Sequence, residues 1–557
     1  MGRSDGSPGD YSYYNDVTPA YQAVIYKWGA RYYGEDTQGN QCTVPATDLG
    51  VALNRVWARL GECFILVKKG NYDISTQANI PSNSGIIGEG MDVTIITLAA
   101  SSNITPLKQA DTTNGNTNIL LQDFTLDING SNQSSNGWLA LAGVSNSVME
   151  RVEVKNARTF AVVWQAIGDA LSGIHSTDNR MLNCYFHGQS NGNDLVVINI
   201  QDSLVAGNEI TDTADASNYA LSAGRSMQRC EVVFNYIHDI DLMGIAFEDC
   251  QNVTVAHNKI HDCTGEYGIH MKKVNAGVTD IRGCVIAYNT IYNTSRGVSI
   301  EDPIACDVSH NVIYSTSSNG ITLVTDTLTT LDRNKVIGNT VYNAGSVGPT
   351  TAVDGISLTN LKASVIKGNI VYNCQRDGIM IQGLINSIVE GNIVYNNNQG
   401  ANTTPRGSGI IAPGGTPDGN LIYGNQAYDD QGSPTQFYGI YTANGDNNTV
   451  WLNRTTGNVT AQISVAGSAS IIKLNVGFVT EAKGTGTITA AATSVTITHG
   501  LSYTPVAAEI NITPTANTTT GVGLIWIDTI TSTQFNVNVA VAPGVSTFTF
   551  GWSARRV

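Results

Sequence analysis

One phrase returns eight times in this chain: an Asn just ahead of a branched apolar residue, followed later by a Gly-apolar-x-apolar run. The Asn copies are Asn208, Asn235, Asn258, Asn289, Asn311, Asn339, Asn369 and Asn392, spaced 27, 23, 31, 22, 28, 30 and 23 residues apart. The Gly runs interleave as MGIAF at Gly244, YGIHM at Gly268, RGVSI at Gly297, NGITL at Gly320, DGISL at Gly355 and DGIMI at Gly378. A period of this size predicts a stacked repeat, which constrains the fold more than any other feature.

One unit, GIAFEDCQNVTVAHNKIHDCTGEY, holds three short alternating runs separated by polar punctuation, with no room for a helix. Three strands per turn, stacked in parallel, describe a single-stranded right-handed parallel β-helix. Its rungs lie about 4.8 Å apart, so equivalent residues form columns. An Asn column at a tight turn can bond its amide to the next rung, and Asn tolerates left-handed backbone. Alternation sends Ile245, Ile269, Val298, Ile321, Ile356 and Ile379 inward, with Phe247, Met271, Ile300, Leu323, Leu358 and Ile381 two residues on. It leaves two outward columns: Ala246, His270, Ser299, Thr322, Ser357, Met380, and Glu248, Lys272, Glu301, Val324, Thr359, Gln382.

The composition fits a long β solenoid: 57 Gly in 557 residues and only 13% charged side chains. The net charge of −15 argues against a nucleic-acid partner, which needs a basic face. No apolar run of about 18 residues occurs, so no membrane span is expected. The opening MGRSDGSPGDYSYY shows no basic-then-apolar secretion signal. The nine Cys lack metal-ligand spacing, and Cys230, Cys284 and Cys306 each precede a repeat Asn by five residues. We expect free structural thiols, no bound metal and no cofactor.

Residues 1–45 are polar and aromatic and carry no repeat; they read as a neck or attachment segment. Asp48 caps an amphipathic helix whose face is Leu49, Ala52, Leu53, Val56, Trp57 and Leu60, stopped by Gly61. A solenoid has a raw apolar end, and a helix across it meets a physical need. The β-helix is expected over residues 46–481, less regular from about 85 to 230. Residues 482–557 (SVTITHGL, VAAEINIT, GLIWID, FNVNVAV, STFTFGW) read as a small antiparallel β-sandwich for trimerisation or glycan binding.

The helix followed by GECFILVKKGNYDI and IPSNSGIIGEG resembles the opening of the pectate-lyase-like superfamily of right-handed β-helices, which includes phage tailspikes and polysaccharide lyases, hydrolases and epimerases. The resemblance covers residues 48–480 and is specific for fold. The tail, with ATSVTITHGLSYTP and FTFGW, resembles small β modules that end phage tail proteins. It implies a virion-associated or extracellular protein, commonly a homotrimer, attached to a tail or baseplate through residues 1–45 and bound to a polysaccharide. No stretch matches a catalytic motif of the superfamily residue by residue.

The outward columns are bland except between Gly244 and Asp302, where Glu248, Asp249, His270, Lys272, Lys273, Arg296, Glu301 and Asp302 gather. Two chemistries fit. Glu248 and Glu301 lie two rungs apart, about 10 Å at the backbone; side-chain reach could close this to the roughly 6.5–9.5 Å of an inverting glycosidase pair. Asp302 is expected to be catalytic with that pair, and Asp249, His270, Lys272, Lys273 and Arg296 to bind substrate. Alternatively Lys272 or His270 would abstract a uronate proton with Arg296 neutralising the carboxylate. Two flanking Glu would raise the Lys272 pKa, which favours the hydrolase. The competing structural reading is a cross-strand ladder of alternating charge.

Tyr292, Tyr314, Tyr342, Tyr372, Tyr395 and Tyr428 each follow a repeat Asn by three residues or occupy the equivalent place, forming an outward column. It reads as an aromatic ladder or a subunit interface before a glycan platform. His238, His257, His261 and His310 read as turn residues, and Asp239 and Asp241 as loop residues bordering the patch. The expected function is a tailspike-like protein that binds and depolymerises a surface polysaccharide. The rivals are a non-catalytic adhesin of the same fold and a secreted polysaccharide lyase.

Overall fold

The computed structural model describes residues 21–556 except 136, 169–171, 190–193, 213–218, 225–226, 275–280, 327, 329, 347–352, 404, 415–416, 444, 446, 467–469 and 516–520. The chain coils into a parallel β-helix. One face is a 15-stranded sheet running from Ala78–Ile80 to Ala461–Val465, and the other two faces run together in a 31-stranded sheet. The repeat registers as alternation requires: Ile245 pairs with Ile269, Ile269 with Val298, Val298 with Ile321, and Ile321 with Ile356. These residues, and the second inward column from Phe247 to Ile381, are at most 1% exposed.

The Asn ladder is longer than the sequence phrase. It starts at Asn208 and continues past Asn392 through Asn425, Asn453 and Asn475. Each rung repeats one geometry. Asn311 Nδ2 donates to Asn339 Oδ1 (3.0 Å) and to the Ile286 carbonyl (2.8 Å), while its backbone N–H donates to Asn339 Oδ1 (3.0 Å). The left-handed residue is not the Asn, as expected, but the one before it. Phe234, His257, Tyr288 and His310 hold φ of 59°, 57°, 56° and 56°, and Gly338, Gly368 and Gly391 hold 65°, 64° and 62°. An Asn in the extended region can aim its amide along the stack; the sharp turn falls to its neighbour.

The other turn of each coil carries a second, mixed ladder. The backbone N–H of Cys306 donates to Asn334 Oδ1, that of Asn334 to Ser364 Oγ, and that of Ser364 to Ser387 Oγ. Cys230, Cys284 and Cys306 therefore occupy turn positions that other rungs give to Asn or Ser. All nine Cys are free and buried. Burial pushes the thiols of Cys184, Cys230 and Cys374 up to about 12. The seven thiols inside the solenoid, from Cys184 to Cys374, are expected not to react with Ellman's reagent in the native protein and to react fully after denaturation. Prompt labelling of the native protein would show an open core.

The Tyr column forms a ladder with ring centroids 4.9–5.1 Å apart and planes within 7° of parallel. Each ring face is covered by the next ring, so the stack stabilises the coil rather than offering faces to a ligand. His261 extends the column upward, 4.6 Å from Tyr292, so it is a strand residue and not the turn residue expected. His238, also on a strand, stacks 5.4 Å from His261. His257 and His310 do lie at turns, stacked with Phe234 and Tyr288 in a separate column.

At the N-terminal end the helix Leu49–Leu60 covers the first rung. Asp48 Oδ1 accepts from the Val51 N–H, and Leu49, Ala52, Leu53, Val56 and Trp57 are buried. Of the expected neck, residues 1–20 lie outside the described residues. Within the rest, Ala23–Trp28 and Arg31–Asp36 form an antiparallel hairpin whose first strand pairs in parallel with Phe64–Val67. That hairpin belongs to the end of the solenoid, because its alternating Ala23, Ile25 and Tyr32 fill the same core. After the last coil, two three-stranded antiparallel sheets enclose a second core of Ile488, Phe535, Val537, Phe548, Phe550 and Trp552. Tyr503 packs against both cores.

Candidate functional site

The 15-stranded face turns one outward column of side chains from each rung into solvent. Glu248 registers with Lys272, and Ala246 with His270 and then Ser299. Lys272 Nζ lies 3.0 Å from Glu248 Oε1. Burial works against the Lys272 ammonium, but the Glu248 carboxylate outweighs it and the pKa stands above the ordinary lysine value. Lys272 is thus poorly suited to take a proton from a uronate.

Glu301 does not meet Glu248. It turns to His270, with Oε1 3.2 Å from Nε2, and the Lys272 rung stands between the two carboxylates. His270 is 5% exposed and stacked on Tyr267 at 4.1 Å. Arg296 lies over the same Tyr267 ring, 4.9 Å from its centroid, and donates to its Oη at 2.7 Å. Glu301, His270, Tyr267 and Arg296 therefore form one tied cluster, in which Arg296 is engaged by an aromatic ring.

Asp249 and Asp302 leave the face altogether. Both are fully buried, with φ of 46° and 49°. Asp249 Oδ1 accepts from the Val274 N–H, and Asp302 Oδ1 from the N–H groups of Asp326 and Leu328. They hold the loop that leaves the next rung, because a left-handed residue at the strand end points its side chain under that loop. Asp302, expected to be catalytic, and Asp249, expected to bind substrate, are thus placed under these loops and off the outward face. Lys273 lies past the end of its strand, half-buried and off the Glu248–Lys272 column.

The concavity on this face lies one step toward the N-terminus, over rungs that show no clean repeat in sequence. It is a groove of about 410 Å³, lined by Trp138, Phe160, Gln165, Asp194, Asn199, Tyr219, Ser222 and, at its far wall, Glu248. Trp138 and Phe160 meet edge to face at 5.6 Å. Small residues make the floor: Ser222 and Ala246 are neighbours in register, and Gly224 leaves room for Glu248, whose Oε2 lies 3.8 Å from where a Cβ would stand.

Asp194 is the residue that sequence reading missed. Ser222 Oγ donates to its Oδ2 at 2.5 Å. Burial holds its carboxyl above the ordinary aspartate range and the Glu248 charge adds to this, against the Ser222 and Tyr219 N–H hydrogen bonds and the Lys272 charge. Asn199 Oδ1 is buried and meets no hydrogen-bond partner among the described residues. The groove thus combines aromatic walls, an unfilled acceptor and two carboxyl groups, the usual make-up of a site for a polar ligand with apolar faces. Among the described residues, no group of three or more His, Cys, Asp or Glu is placed to hold a metal ion.

The family model described as the right handed beta helix region matches residues 215–352 and 284–499, together more than half of the chain. The chain belongs to this right-handed β-helix family. No curated protein matches. Among solved structures, a tailspike protein mutant of E. coli bacteriophage HK620 in complex with pentasaccharide is 14% identical, with 94% of this chain and 92% of that chain covered and a TM-score of 0.50. The N-terminal fragment of bacteriophage Phi29 gene product 12 is 12% identical (77% and 91% covered, TM-score 0.46). The A-module of mannuronan C-5 epimerase AlgE6 from Azotobacter vinelandii is 14% identical (77% and 95% covered, TM-score 0.36). At these identities the likeness is one of fold.

Proposed function

We propose that this is a tailspike-like virion protein that binds a polysaccharide along the 15-stranded face and cleaves it by hydrolysis. The observation that carries the reading is the groove: aromatic side chains stand beside two carboxyl groups on the outward face of a long sheet. An extended polymer matches such a face, and the aromatic walls suit the apolar faces of sugar rings. The complex of the HK620 tailspike with pentasaccharide agrees with a saccharide ligand for this fold.

Hydrolysis is favoured over elimination. A lyase needs a base of lowered pKa and a cation for the uronate carboxylate, whereas Lys272 is held protonated by Glu248 and Arg296 is engaged with Tyr267. Assembly as a homotrimer, with residues 482–557 as the association module and attachment through the N-terminal end, belongs to the same reading. Eleven of the 22 large apolar side chains that stand exposed among the described residues lie between Leu452 and Val545, six of them in the last coils and five within residues 482–557. An apolar concentration of this kind supports burial against other subunits.

Incubation with a panel of neutral and acidic bacterial surface polysaccharides tests the proposal. The expected result is binding to at least one polymer with release of new reducing ends and no unsaturated-uronate absorbance. Binding without cleavage favours the adhesin reading; unsaturated products favour the lyase.

A further inference from the structure

The groove holds two carboxyl groups in unlike surroundings. Asp194 is half-buried just ahead of its strand, bonded to Ser222 Oγ and to the Tyr219 N–H, and Glu248 lines the same groove from two strands away. Glu248 stands at the opposite wall in an ion pair with Lys272. A hydrogen-bonded, half-buried carboxyl beside an ion-paired carboxylate is an arrangement that can divide the roles of acid and base. Among the described residues, no Lys, Arg or His lines the groove, and Lys272, beside it, is paired with Glu248.

We propose that Asp194 is the proton donor and Glu248 the base of a glycoside-hydrolysing pair, and that the sugar spanning them is uncharged. This rests on the polysaccharide reading above and deepens it. In the step, Asp194 gives its proton to the glycosidic oxygen as the C1–O bond breaks. Glu248 takes a proton from water as the water oxygen bonds to C1 from the opposite side. One water is consumed, and the products are a reducing end of inverted configuration and a free hydroxyl. Proton exchange with solvent returns Asp194 to its acid form and Glu248 to its base form. A uronate at this place would bring a carboxylate beside Glu248 and the acid form of Asp194 with no cation among the described lining residues to meet it, so neutral polymers are the substrates.

The test compares wild-type protein with Asp194→Asn on the neutral polymer it binds. Reducing-end release is followed across pH, affinity by calorimetry, and folding by thermal melting. The wild-type rate is expected to fall on the alkaline side as Asp194 ionises. The Asn variant should be slower by about 100-fold or more, with the alkaline limb gone. Its affinity should stay within about threefold and its melting temperature should not fall, because an amide removes the cost of a buried charge. The proposal is overturned if the variant keeps the wild-type rate, or if it loses rate only in proportion to affinity or stability. A wild-type protein that binds the polymer but releases no reducing ends overturns the pair and leaves the binding reading standing. If no polymer binds, both fail. Cleavage confined to uronate polymers overturns the uncharged-sugar assignment.

Discussion

Replacing Asn339 by Ala destabilises the solenoid by about 3–5 kcal/mol, since each buried polar group left unpaired costs about 1–3 kcal/mol. The side chain of Asn339 accepts from the Asn311 N–H and from Asn311 Nδ2, both at 3.0 Å, and donates to the Val308 carbonyl at 2.8 Å and to Asn369 Oδ1 at 3.0 Å. Truncation takes a bond from four groups of neighbouring coils in a place that water does not reach, since Asn311, Asn339 and Asn369 are all fully buried. The cost is not local, because one amide serves two neighbouring rungs. Urea unfolding followed by circular dichroism, together with the unfolding rate, checks this. A loss below about 1 kcal/mol would mean that the backbone ladder alone holds the coil and the amides add nothing beyond it.

Glu248→Gln is expected to lower the cleavage rate by about two to four orders of magnitude, the range for removing a positioned general base. The substitution keeps the shape of the side chain and removes only its charge. Lys272 then loses its counter-ion, but both partners are partly exposed, at 32% and 26%, so the change in stability stays within about 1 kcal/mol. Affinity for the polymer is expected to survive, because the aromatic walls and Asn199 remain. Reducing-end assays beside calorimetry separate the two quantities. Full activity of this variant would return Glu248 and Lys272 to a purely structural charge pair.

The fold was legible because its columns repeat one residue type. Asn at a 22-to-31-residue period and Ile or Val after each Gly can only stack, and they do. The ladder was harder to follow past Asn392 because the branched residue after Asn425 is replaced by Gln-Ala, although Asn425 keeps the same bonds. The turn itself was misread: a left-handed position suggests Asn, yet here Phe234 and Tyr288 take it so that Asn235 and Asn289 can bridge rungs.

The candidate site was only half legible. Glu248, Lys272 and Glu301 stood out because the rest of their column is uncharged. Asp249 and Asp302 stood out for the same reason, but a left-handed backbone turns them under the loops, which strand alternation does not foresee. Asp194, Trp138, Phe160 and Tyr219 come from four rungs whose connections differ in length, so no period brings them together on paper. What could have flagged Asp194 is its place just before the apolar run Leu195–Ile198, one coil ahead of Tyr219–Ala223.

The most direct measurement is a crystal structure of the Glu248→Gln protein with an oligosaccharide cut from its own substrate. Sugar rings should run along the 15-stranded face across Trp138 and Phe160, with a glycosidic oxygen at about 3 Å from the Asp194 carboxyl. Sugars seated instead along the Tyr292–Tyr428 ladder, with the groove beside Asp194 empty, would contradict the account.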